Sequence, residues 1–402
     1  MISLFKPSCI ENKIDKWCFN LILFDIFFIP LFPWFSISMS IPIIVLWYLM
    51  RGNKTKFAKE HRIWGAIAIL MVLSTLLSLV GFEGSDYETT FGTSVKRLFQ
   101  YIFSFWYYFF FVYFFSNYRR NINNIVFAGI LYITLFAVLY YENQELFIYI
   151  KKTICPFDPQ SLRWLRDELP VYRFNFLWAD PNNVAYASTT LALFYISEQK
   201  GNLINKYIVL LCLSFILLCT MSLGGIAIAF LLTAYVFIFS NKFREGKSGF
   251  WLGLAVFCIV VFFVLLNIDF ISEIFDSGVG KRHTIYGNEG VSSGGGRIND
   301  LFLGFSKFNP IFLFIGSGQE GFVHEIGHLY LIFMYGMPVY IFFMYIIFRK
   351  KPGQTFLEYL SIIPIFAGFT VNIAIGEQKY LLIAMLISAY YTAKQYRKRF
   401  KT

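Results

Sequence analysis

The sequence predicts an all-α polytopic membrane protein with about twelve transmembrane helices, organised as a single integral membrane domain over 1–402. Three observations carry that prediction. Hydrophobic residues make up 57% of the chain, aromatics 21% and charged residues only 15%, a balance outside the soluble globular range. Apolar windows near the ~20 residues that a spanning helix requires recur along the chain, separated by short polar breaks. Such windows fit helices and not a barrel, because in lipid each span must satisfy its own backbone hydrogen bonds. Finally, the basic residues collect in alternate breaks.

Taken in order, the spans are expected at about 17–33, 36–50, 64–82, 98–116, 122–141, 183–197, 205–221, 224–240, 249–267, 327–347, 355–374 and 378–393. Pro30, Pro33 and Pro42 interrupt the first two, where a missing N–H and a fixed φ break helical pairing. With the N-terminus inside, the inner breaks hold 23 of the 35 Lys and Arg residues, and the outer breaks hold 17 of the 24 Asp and Glu residues. Every short loop then obeys the positive-inside rule, and both termini face the cytoplasm. The same rule accounts for the net charge of +11, so no nucleic-acid partner is implied. The six cysteines fall mostly in spans or on the inner side and show no metal-like spacing. The apolar run after Lys16 is long and lacks a small-residue cleavage site, so it reads as a first span and not a removed leader.

Polar mass gathers in two long outer loops, about 142–182 and 268–326, with a smaller one at 81–97. The second loop carries His283 and His324, with His328 just beyond, and a glycine triplet ending at Gly296 before Arg297. Glycines there let backbone approach a ligand, a helix start offers unpaired N–H groups to an anion, and a guanidinium grips phosphate through parallel bonds. The alternative is a solvated arginine on a glycine hinge. The first loop contributes Arg163, Arg166 and Arg173 among Trp164, Tyr172, Phe174 and Trp178. Basic residues among aromatics anchor to headgroups, and they equally suit a lipid-linked pyrophosphate. That loop returns to the bilayer through Asp180, Pro181 and Asn182, a helix start with a capping residue and a first-turn proline. Arg97, beside Lys96 at the outer end of the fourth span, completes a cationic ring.

His324, Glu325 and His328 fit the His-Glu-x-x-His pattern of zinc enzymes literally. A glycine inside the helix, the absence of an obvious third ligand and a position at the lip of a span weigh against a metal. One such group near the anion site would serve instead as a general base. Asp25 is an acid inside the first span and therefore a candidate for function, with a structural role as the alternative. Ser222 to Gly225 reads as a tight outer hairpin between spans seven and eight.

These residues together resemble the bacterial O-antigen polymerase (Wzy-type) family, which is related to the O-antigen ligases. Three pieces carry the resemblance: Arg173 followed by Asp180 to Asn183 leading into a span, Gly296-Arg297 opening a helix in the last large loop, and Glu325, Gly327, His328, Leu329 running on to Tyr335-Gly336. The resemblance implies a GT-C-like glycosyltransferase architecture with two periplasmic loops in the bacterial inner membrane. It implies an enzyme that joins undecaprenyl-pyrophosphate-linked repeat units as donor and acceptor, needs no cofactor or metal, and works with a chain-length regulator protein. Arg297, Arg173, Arg166, Arg163 and Arg97 would then hold pyrophosphate, Glu325, His328 or His324 would act as base, and Asp180, Asn182 and Gly296 would line the cavity. Two departures stand out: Leu223 replaces the arginine of a Ser-Arg-Gly turn, and the His-Asn pair that opens the tenth span in ligases is missing. The competing expectations are an O-antigen ligase acting on lipid A-core and a polysaccharide or lipid transporter, which would place several charges within its spans.

Overall fold

A computed structural model describes residues 13–31, 37–51, 59–79, 91–118, 120–155, 173–178, 180–199, 202–239, 310–319, 327–370 and 378–399. Among them the secondary structure is helical, without strands: α1 Lys13–Phe28, α2 Ile41–Arg51, α3 Lys59–Leu77, α4 Phe91–Asn117, α5 Asn123–Glu142, α6 Gln144–Ile154, α7 Pro181–Glu198, α8 Leu203–Thr220, α9 Leu223–Phe239, α10 Phe312–Ile315, α11 Gly327–Tyr335, α12 Met337–Phe348, α13 Phe356–Leu360, α14 Ile363–Gly368 and α15 Gln378–Arg399. Helices α4, α5 and α8 are long and apolar enough to cross a membrane, and several shorter helices are as apolar. The architecture is compatible with a membrane protein. The span expected at 249–267 lies outside the described residues.

Several boundaries follow from local chemistry. Helix α1 stops at Phe28, short of Pro30, and α2 carries Pro42 in its first turn, where the missing N–H costs nothing. The run expected as one span at 327–347 is two helices, because Gly336 holds φ +85° and Pro338 follows in the first turn of α12. The run expected at 355–374 is likewise divided, into α13 with a Thr355–Glu358 capping box and α14 with Pro364 near its start. Within the first long loop the chain is not irregular throughout, since α6 occupies 144–154.

The chain divides into two compact units. The first contains α1–α4, α10–α12 and α15. Here α4, about 40 Å long at 1.5 Å per residue, packs along α15. Its aromatic face closes over α1, with the Phe19 ring stacked on Phe114 at 3.8 Å. A buried ion pair clasps the same elements: Lys379 Nζ, on the first turn of α15, lies 2.6 Å from Asp25 Oδ1 on α1, and both side chains are buried. Asp25 Oδ2 accepts bonds from the Ser38 hydroxyl, the Ser40 N–H (2.8 Å) and the Ser40 hydroxyl (2.6 Å). The Ser40 oxygen lies 2.8 Å from Tyr107 Oη, and the Ser38 N–H donates to Gln378, whose amide reaches the Gln100 carbonyl and Ser104. A cation at a helix N-terminus opposes the helix dipole; the Asp25 carboxylate offsets it. Of the two roles open for Asp25, its bonds are those of the structural one.

The segment 310–319 feeds the break between α11 and α12. The N–H groups of Ser317 and Gly318 donate to the Phe333 and Met334 carbonyls at the end of α11 (2.7 and 2.9 Å), and the Gly336 N–H takes the Ile332 carbonyl (2.7 Å). Ser94 Oγ on α4 and Ser74 Oγ on α3 donate back to the Gly318 and Ile315 carbonyls. The carbonyls freed by the break are therefore paired again, as an apolar surround demands.

The second unit contains α5–α9, α13 and α14. Helix α7 is its axis, packed against α5, α8, α9, α13 and α14, and every residue of α7 except Asn182 and Glu198 is buried. Close packing with α9 depends on Gly225, where an added Cβ would stand 2.6 Å from that of Ala185.

Two predictions concern this scaffold. At Gly318, with φ +69°, an added Cβ would meet the Ser74 carbonyl oxygen at 1.9 Å, whereas at Gly65 nothing lies within 4 Å. Thermal unfolding of purified protein in detergent is expected to show Gly318→Ala lowering Tm, with overpacking costing about 1–3 kcal/mol, and Gly65→Ala leaving it unchanged or raised. Equal effects of the two would contradict the packing described. For the clasp, Asp25→Ala and Lys379→Ala are each expected to cost about 3–5 kcal/mol, because each leaves a buried charge uncompensated. The paired change Asp25→Leu with Lys379→Met should be the milder one; a loss equal to the sum of the single losses would show that the two residues act independently.

Candidate functional site

In the second unit, the chain entering α7 makes a short strap over 173–178, and the strap exists because α8 ends where it does. Met221 takes φ +48° and folds its N–H back to the Leu217 and Leu218 carbonyls. The last carbonyls of α8 then face outward and are met by the strap: the Phe174 N–H donates to Cys219 O (3.0 Å) and Arg173 Nε donates to Thr220 O (3.0 Å). A guanidinium at a helix C-terminus also suits the negative end of the dipole. Arg173 is only 3% exposed.

The other end of the guanidinium reaches α7. Nη2 donates to Asn182 Oδ1 (3.1 Å), and the same oxygen accepts from the Ser222 hydroxyl (2.8 Å). Ser222 in turn receives the Gly225 N–H (3.2 Å) at the start of α9, while Asp180 caps α7 by accepting the Asn182 N–H (2.6 Å), with Pro181 in the first turn. Two helix N-termini are thus joined through one amide oxygen beside one arginine. The Thr220 carbonyl and the Asn182 amide oxygen orient the guanidinium, and each N-terminus adds a partial positive charge. This set of groups can receive an anion with paired oxygens, such as phosphate.

A second cation secures the strap from α6. Lys151 Nζ, fully buried, donates to Asn175 Oδ1 and to the Trp178 carbonyl (2.9 Å). The turn it holds is closed by the Trp178 N–H on Asn175 O (3.0 Å), with Phe176 at φ +52°. Phe174 and Phe147 pack at 5.6 Å beside it, and Tyr132 and Phe136 meet the Phe176 ring edge-on at 5.7 and 5.4 Å. The strap is therefore rigidly placed by one basic residue at each end.

Of the residues singled out in the sequence, the structure brings together Arg173, Asp180 and Asn182. The Asp180 carboxylate caps α7, and Asn182 is the shared acceptor. Arg97 and His328 belong to the first unit. Arg97 Nη1 donates to Gln100 Oε1 (3.0 Å) on its own helix. His328 Nδ1 lies 3.3 Å from Tyr340 Oη, its N–H donates to Phe369 O (3.3 Å), and its ring meets Phe369 at 5.6 Å. Arg163, Arg166, Gly296, Arg297, His324 and Glu325 lie outside the described residues, so the literal His-Glu-x-x-His pattern is represented by His328 alone. Sequence reasoning missed Lys151, Asn175 and the linking role of Ser222. The four-residue spacing of Phe147, Lys151 and Cys155 was the available signal, because it sets all three on one helical face.

Since Arg173 and Ser222 act through one oxygen, Asn182→Ala is expected to cost about 1–3 kcal/mol from donors left unpaired, and Ser222→Ala about 1 kcal/mol from the lost cap. The double variant should lose less than the sum when unfolding is followed in detergent. Strict additivity would contradict a shared acceptor.

Compared with known proteins, the chain matches no family model, no curated protein and no solved structure, so the chemistry of this site rests on its own residues.

Proposed function

We propose that the chain is a polysaccharide polymerase that joins polyprenyl-pyrophosphate-linked repeat units, the activity its resemblance to the O-antigen polymerases implies. The observation that carries this reading is Arg173: a buried guanidinium held by the Thr220 carbonyl and the Asn182 amide oxygen where two helix N-termini meet. The location would be the periplasmic face of a bacterial inner membrane, with both termini cytoplasmic.

In this reaction a hydroxyl oxygen of the acceptor sugar attacks the anomeric carbon of the donor. The new C–O bond forms as the bond to pyrophosphate breaks, and the electron pair leaves on the phosphate oxygen. Protein groups have two tasks, to neutralise that oxygen and to take one proton. Arg173 is assigned to the first; the resemblance assigns Arg297, Arg163, Arg166 and Arg97 to the same task, and Glu325, His324 or His328 to the proton. Because the donor carries its own leaving group, neither a nucleotide sugar nor a metal is needed. Asn182 positions Arg173 without touching the reacting atoms.

A transporter reading draws on the Asp25–Lys379 pair, since intramembrane charges commonly mark a transport path. Its carboxylate, however, is engaged by Lys379, Ser38 and Ser40.

The test is gel analysis of surface polysaccharide from cells whose own copy is deleted and replaced by wild type, Arg173→Lys or Arg297→Ala, with membrane abundance checked in parallel. Lysine keeps the charge but cannot reach Thr220 and Asn182 with a planar fork. The expected result is a ladder with wild type and a single repeat unit with Arg173→Lys. A full ladder from that variant overturns the role of Arg173, and loss of even the single unit on deletion favours a ligase or transporter.

A further inference from the structure

Helix α6 presents three distinct faces. Phe147 and Lys151 point into the protein and are fully buried. Glu145 and Lys152, seven residues apart, form a charged edge. The remaining arc carries Leu146, Tyr149, Ile150, Thr153 and Ile154, spaced as one side of a helix and apolar but for Thr153, whose hydroxyl donates to the Tyr149 carbonyl (2.9 Å). It is not covered by protein: Leu146 is 43% exposed and Tyr149 68%.

The position of α6 identifies what covers that arc. Only Asn143 separates it from α5, one of three helices among the described residues long and apolar enough to cross a membrane. Asn143 turns the chain sharply, donating its N–H to Leu139 O (2.9 Å) while its side chain caps α6 at the Leu146 N–H (2.9 Å). Helix α6 then folds back on the end of α5, with the Phe147 ring edge-on to Tyr140 at 5.5 Å and to Phe136 at 6.3 Å. Phe136 lies about 9 Å from the end of α5 at 1.5 Å per residue. Helix α6 therefore packs against the last two turns of α5, at the end of a helix able to span. Along α5 itself, Leu131, Leu135 and Val138 make a second uncovered apolar stripe ending at Tyr141, as expected of a helix that meets lipid.

We propose that α6 lies in the plane of the membrane surface, with Leu146, Tyr149, Ile150 and Ile154 among lipid and Glu145 and Lys152 at the water edge. Tyrosine at this level is favoured because its ring is apolar and its hydroxyl stays hydrated. A consequence concerns the strap: Lys151, on the opposite face of α6, holds Asn175 and Trp178. The membrane-seated helix therefore fixes the strap at headgroup depth. This inference does not rest on the polymerase reading.

The test uses the full chain in phosphatidylcholine–phosphatidylglycerol liposomes. A ketone-bearing residue introduced at 145, 146, 149, 152 or, as a lipid reference, 135 carries a nitroxide, and collision rates with oxygen and with a neutral nickel chelate are measured. Labels at 146 and 149 are expected to favour oxygen over nickel several-fold, as at 135, with the reverse at 145 and 152. Should the label at 149 impair folding, position 154 on the same arc replaces it. Nickel-dominated values at 146 and 149 would place the arc in water, and low values with both reagents would place it under protein, a second copy or a partner; either result overturns the proposal.

Discussion

In an apolar surround, every backbone polar group and every charge has to be satisfied within the protein, and three irregular features among the described residues answer that constraint. Where α11 gives way to α12 at Gly336, the freed carbonyls are met by Ser317, Gly318 and Gly336 itself. Where α8 ends at Met221, Phe174 and Arg173 take the exposed Cys219 and Thr220 carbonyls. Where Lys379 is buried at a helix start, Asp25 and its serines surround it. The broken helices and the strap are thus parts of the same accounting as the regular spans.

The constraint also separates the two buried polar centres by what they can do. Around Asp25 the cation and the carboxylate neutralise each other, and hydroxyl and amide groups take up the remaining acceptor capacity. A centre so closed holds helices together. Around Arg173 a carbonyl and an amide oxygen direct the guanidinium, and the starts of α7 and α9 add to the local positive potential. That is the arrangement expected where an anion is to be received.

Lys151 extends this logic toward the bilayer. It sits on the inward face of an amphipathic helix whose other face is apolar and uncovered. One short element thereby couples the depth of the membrane surface to the position of the strap. The aromatic packing of Phe147, Phe174 and Phe176 makes that coupling stiff.

What the sequence by itself determined is the class: composition and recurring apolar windows are properties of each segment taken alone, and they dictate helices suited to a membrane. It also determined the start of α7, because Asp180, Pro181 and Asn182 act within one turn of each other. The tertiary structure alone decided how Gly336 divides a continuous apolar run, that Asp25 pairs with a lysine 354 positions away, and that Asn182 joins Arg173 to Ser222. The physical reason is range. Capping and hydropathy depend on neighbours along the chain, whereas the partner of a buried charge is whichever group the packing of distant helices brings within hydrogen-bond reach.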